Sequence, residues 1–230
     1  MLLLNGVLAA SLWALSPAQP LGATLKTADG WTIAALYRSP QKDKPVAVLI
    51  HGVAAGKREW DKLCGELWKR GFGTLAIDLR GHGDSTEGPK GKQDFKSFDE
   101  TGEWPKAEAD ILAAVRFLRK KGIPASRVGL IGGSIGANLA SHAAAKEESV
   151  RWLALLSPGN NYRGVSVADL SGRRVVVAAS PDDDYAMQTA MRLALAPGGP
   201  VFIQAKSGHG AQLLNDGEFL GKLLDWLAKN

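Results

Sequence analysis

Six short apolar runs recur along the chain: Val46 to Ile50, Gly73 to Ile77, Val128 to Ile131, Val150 to Leu156, Arg174 to Ala179 and Val201 to Gln204. They show little apolar–polar alternation, which is the mark of strands covered on both faces. Between them the hydrophobic spacing predicts helices over Trp60 to Arg70, Pro105 to Lys121, Ser134 to Lys146, Tyr185 to Leu195 and Asp216 to Lys229. Pro105 stands at a helix start, where its missing N–H is harmless. Two earlier runs, Ala23 to Thr27 and Thr32 to Tyr37, flank Asp29-Gly30 and predict a β-hairpin. Arg80 to about Glu103 reads as one long polar loop. Buried strands alternating with helices imply an α/β domain with a mostly parallel central sheet, helices on both faces and an antiparallel hairpin in front.

In such sheets ligands sit beyond the carboxyl ends of the strands, so the residues that follow each strand matter most. They are His51-Gly52-Val53, Asp78-Leu79-Arg80-Gly81-His82-Gly83-Asp84-Ser85, Gly132-Gly133-Ser134-Ile135-Gly136, Ser180-Pro181-Asp182-Asp183-Asp184 and Ser207-Gly208-His209-Gly210. The third is Gly-x-Ser-x-Gly between a strand and a helix, the pattern of a nucleophile elbow. Side chains at its two outer glycines would collide with neighbouring backbone in so sharp a turn. A serine, a carboxylate cluster and a histidine thus follow strands in the order Ser, Asp, His. Gly129 to Ser134 also partly matches a dinucleotide-binding loop. That pattern needs glycine where Arg127 stands, and it needs an acid ending the next strand, whereas Glu147 and Glu148 precede it.

Taken together, these pieces resemble the α/β-hydrolase superfamily, and within it the small single-domain serine esterases and dienelactone-hydrolase-like proteins. The elbow departs from true dienelactone hydrolases in carrying serine where they have cysteine. The resemblance implies an α/β-hydrolase fold over residues 23–230 without a large cap domain. It also implies an acyl-enzyme on Ser134 with His209 as base and Asp183 as acid. Asp182 is the alternative acid, and Asp184 a helix-start carboxylate favoured by the dipole. By the same resemblance the backbone N–H groups of Val53 and Ile135 form the oxyanion hole. Asp78 anchors the turn with Arg80 and His82, and His51, Gly52 and Tyr162 are expected among the substrate contacts. His142, well into the helix after the elbow, is poorly placed as a base. Lys57, Arg58 and Trp60 either contact an anionic or aromatic substrate or, respectively, stay solvated and pack on the core. The implied activity is hydrolysis of a small acyl ester. Thioesterase and peptidase activities use the same triad, and an inactive hydrolase fold serving as a binding module is the other alternative. Only Ser157 to Gly172 stands where such folds insert lids, so an open site favouring short esters is expected.

Composition trims this picture. The formal charge of +5 comes from scattered Lys and Arg without a basic patch, so no nucleic-acid partner is expected. Cys64 is the only cysteine, which excludes an intrachain disulfide, and no histidine pair has ligand spacing, so neither metal nor cofactor is expected. Oligomeric state is not written in the sequence. Residues 1–22 form an uncharged N-terminal apolar segment. Its run from Leu2 to Leu15 is short for a membrane span, and Ser16-Pro17-Ala18 offers small residues for cleavage. These features suit a signal peptide and export to the periplasm or beyond, with no stable span after processing. No Lys or Arg precedes the run, and a membrane anchor or a packed N-terminal segment in a cytoplasmic protein is the alternative.

Overall fold

The computed structural model of the chain describes residues 19–229. Strand β1 (Leu21–Lys26) pairs antiparallel with β2 (Thr32–Arg38), in which every second residue is buried, as one-sided coverage requires. The strand starts at Leu21, so the hairpin reaches into the segment assigned above to residues 1–22. The apolar run from Leu2 to Leu15 and the cleavage positions at residues 16–18 lie outside the described residues.

Strands β3 (Val46–Ile50), β4 (Gly73–Ile77), β5 (Val128–Gly133), β6 (Trp152–Leu156) and β7 (Val175–Ala179) are buried at every position. The last strand, β8 (Val201–Gln204), is a partly exposed edge. The sheet order is β1-β2-β4-β3-β5-β6-β7-β8, with β2 antiparallel to β4 and all strands from β4 through β8 parallel. Side chains alternate across this sheet. Val46, Val48 and Ile50 face one core, while Ala47 and Leu49 face the other.

The helices divide accordingly. On the first face α2 (Glu108–Lys120), α3 (Ile135–Lys146) and α4 (Asp184–Ala194) supply Ile111, Leu139 and Ala190 among others. On the second, α1 (Asp61–Lys69) and α5 (Gly217–Lys229) supply Leu63, Leu67, Phe219 and Leu223. Glu108 and Asp110 in the first turn of α2 and Arg119 and Lys120 in its last suit the helix dipole. Its α-helical part begins at Glu108, after a 3₁₀ turn over Trp104–Ala107 that holds Pro105.

The stretch from Arg80 to Glu103 is more than a polar loop. It contains a two-stranded ribbon (Glu87–Gly88 with Gly91–Lys92) and a helical turn at Phe98–Thr101. Phe98 is fully buried there against Trp31 and Trp104. Between β6 and β7 stands only a small hairpin, Asn161–Tyr162 with Val165–Ser166, and no cap domain. Among the described residues no helix is long and apolar enough to cross a membrane.

Candidate active site

Register brings the strand ends together. Ile50 lies opposite Gly132 and Gly133 opposite Leu156, so the residues after β3, β5 and β6 emerge side by side. Ser134 caps α3 with φ 56° and ψ −129°, backbone angles that strain a non-glycine residue. The turn leaves no space around it. A Cβ on Gly132 would lie 2.3 Å from the Gly136 oxygen, and one on Gly136 would lie 2.4 Å from that of Ile50. The Ser134 N–H donates to Leu156 O at 2.9 Å, which pins the elbow to β6.

His209 follows β8 through a loop fastened from below. The Ser180 hydroxyl lies 2.5 Å from Asp182 Oδ1 and 2.6 Å from the Gly208 carbonyl, while the Gly208 N–H donates to Asp182. On the far side Gly210 N–H donates to the buried Ser157 hydroxyl at 2.9 Å. So held, His209 Nδ1 meets Asp183 Oδ2 at 2.6 Å. Asp182 is exposed and its hydrogen bond from Ser180 lowers its pKa, so its role here is to brace the loop. Asp184 opens α4. Ser134 and His209 line one open cavity with Gly52, Val53, Gln212 and Glu59.

His51 does not reach that cavity. Its ring is wholly buried, with Nδ1 2.7 Å from Gly52 O and Nε2 accepting from Leu79 N–H at 2.9 Å. Both nitrogens are therefore spent on joining the Gly52 loop to the end of β4. Burial and the neighbouring His82 push its pKa down to about 4, so the ring is neutral at pH 7. Gly52 lies directly against Ser134, since a Cβ there would be 3.1 Å from the serine Cβ. Val53 lines the cavity, and Ile135 is the first residue of α3, where N–H groups lack intrahelical partners.

The ring of Tyr162 stands edge-on to His209 at 6.2 Å, and its hydroxyl donates to Ser157 O at 3.5 Å. Burial, with the Asp183 charge nearby, holds its phenol above the ordinary tyrosine value. The ring occupies space that only a glycine at 159 leaves open. Asn160 accepts from Arg192 at 3.1 Å, and Asn161 exchanges backbone hydrogen bonds with the Tyr185 hydroxyl.

Two residues escaped the sequence reading. Asn138 on α3 is completely buried. Its amide donates to Gly159 O and Val165 O at 2.8 Å and accepts from Gly159 N–H at 3.1 Å, so it carries the Tyr162 hairpin. An asparagine among Ile135, Ala137, Leu139 and Ala140 was the available signal. Nothing in the sequence sets Glu59 apart from its neighbours Lys57, Arg58 and Trp60. Of these, Lys57 is not a solvated residue: it is committed to Asp78 at 2.5 Å and Asp84 at 2.7 Å. Arg58 is exposed and Trp60 is core. Asp78 also accepts from the backbone of Lys57 and Asp84, which makes it the turn's anchor. Among the described residues no group of three or more metal-ligating side chains converges.

A profile of the alpha/beta hydrolase fold matches residues 45–216, spanning the elbow, Asp183 and His209. The chain belongs to the alpha/beta-hydrolase family. Its fold is similar to an esterase of Pyrococcus furiosus (TM-score 0.72, 16% identity, 92% of each chain covered). It is similar also to an esterase of Exiguobacterium antarcticum (TM-score 0.69, 14% identity, 90% of this chain and 99% of that one). A Xanthomonas campestris serine hydrolase described as lacking a lid aligns with TM-score 0.66 at 18% identity, covering 92% and 97%. No curated protein sequence matches significantly.

Proposed function

We propose that the chain is a carboxylic ester hydrolase working through an acyl-enzyme on Ser134. The observation that carries this reading is the 2.6 Å contact of His209 Nδ1 with Asp183, beside a strained serine lining the same cavity. Asp183 holds the imidazole in the tautomer with hydrogen on Nδ1, leaving Nε2 to accept the Ser134 proton. The serine oxygen attacks the ester carbonyl, whose oxygen becomes an oxyanion. The N–H groups of Val53 and Ile135 receive it, with the N-terminal dipole of α3 behind them. The proton on Nε2 then passes to the departing alcohol. Water, deprotonated by the same nitrogen, releases the acid and restores Ser134.

The absence of a cap between β6 and β7 favours short acyl chains over long lipids, and the similar folds, two esterases and a lidless serine hydrolase, agree with ester cleavage. Hydrolysis of p-nitrophenyl butyrate tests the assignment. We expect kcat to fall about 10³-fold or more in His209→Ala and Asp183→Asn, with the fold retained. Unchanged turnover in either variant would remove that residue from the mechanism.

A further inference from the structure

Glu59 stands in the reaction cavity without a cation. It lines the same cavity as Ser134 and His209, and its carboxylate accepts from the Gly52 N–H at 3.4 Å, the long end of a hydrogen bond. The basic residues before it are turned elsewhere. Lys57 is bound to Asp78 and Asp84, and Arg58 faces Asp61 at 3.7 Å. No lysine or arginine lines the cavity among the described residues, although the chain as a whole carries +5. Glu59 is exposed at the mouth, while desolvation of its carboxyl, opposed by the Gly52 N–H, raises its pKa to about 7.

The placement has a chemical consequence. Gly52 packs directly on Ser134 and precedes Val53, so a negative charge beside Gly52 sits next to the place where the oxyanion must form. With a neutral substrate, ionised Glu59, the form that predominates above about pH 7, opposes that developing charge, so the assays are run at pH 8. A substrate bearing its own cation cancels the opposition and gains an ion pair.

We propose that Glu59 is a specificity-determining residue that selects esters carrying an ammonium or similar cation in the acyl or the alcohol part. This rests on the serine-hydrolase reading above and adds the substrate class. Two matched pairs of substrates test it. One sets butyrylcholine against its neutral carbon isostere, dimethylbutyl butyrate. The other sets the p-nitrophenyl ester of a trimethylammonio-alkanoate against its tert-butyl isostere.

We expect wild type to favour the cationic member of at least one pair by about fivefold in kcat/KM, as a partly solvated ion pair supplies. Glu59→Gln should bring the cationic-to-neutral ratio of kcat/KM to about one in each pair, and Glu59→Lys should reverse the preference. The same cationic preference in wild type and Glu59→Gln, or none in either pair, would overturn the proposal. Labelling of Ser134 by a fluorophosphonate separates the two levels. A labelled enzyme without charge preference loses only the role of Glu59. One that neither labels nor hydrolyses any of the four esters loses the serine-hydrolase reading and this proposal with it.

Discussion

His51 is a residue whose chemistry is decided by where the fold puts it. The resemblance to α/β-hydrolases implies a place for it among the substrate contacts. Buried and bonded at both nitrogens, it is a brace between the Gly52 loop and Leu79. Its ionisation therefore belongs to stability. The unfolded ring titrates near 6.5 and the folded ring near 4, so below pH 6.5 the unfolded chain binds the proton first. Its contribution is complete above pH 6.5 and is lost as pH falls toward 4. Buried His82, also shifted down, works in the same direction. Urea unfolding at pH 7 and pH 5 should show a loss of about 2 kcal/mol from His51 alone. His51→Gln should flatten this dependence; equal slopes in the two proteins would contradict the account. The placement of Ser134, Asp183 and His209 was legible because each lies in the segment that follows a strand, in a distinctive neighbourhood. The burial of His51 and the cavity position of Glu59 were not, since both depend on side-chain directions that only tertiary packing decides.

At the scale of elements, the five buried strands and the main helices were legible from their apolar runs, with ends shifted by up to three residues. The irregular segments were not. Phe98 and Trp104 lie in a stretch with too little periodicity to announce that it packs on Trp31 and His82. The Tyr162 hairpin is only two residues to a strand, and its support comes from another element. Asn138 makes that connection from α3, whose residues from Ile135 to Ser141 are all buried. In Asn138→Ala the carbonyls of Gly159 and Val165 and the N–H of Gly159 lose their partners. We expect a stability loss of about 3 kcal/mol, with kcat reduced as Tyr162 loses its place beside His209. Denaturant unfolding together with ester hydrolysis checks both effects. Native stability and full turnover in that variant would show that the hairpin is held by other means.

For the whole molecule, the sheet order gathers six parallel strand ends along one edge, and residues that follow β3, β5 and β8, from Gly52 to Gln212, line a single cavity. That convergence follows from parallel connections rather than from any one motif, and it is why the order Ser, Asp, His could be read before the contacts were known. The central claim is that this edge makes Ser134 a nucleophile. Its most direct test is the intact mass of the folded protein after reaction with a fluorophosphonate. The account predicts one covalent adduct on wild type, mapped to Ser134 and absent from Ser134→Ala. A folded wild type that stays unmodified, or an adduct that persists in Ser134→Ala, would contradict it.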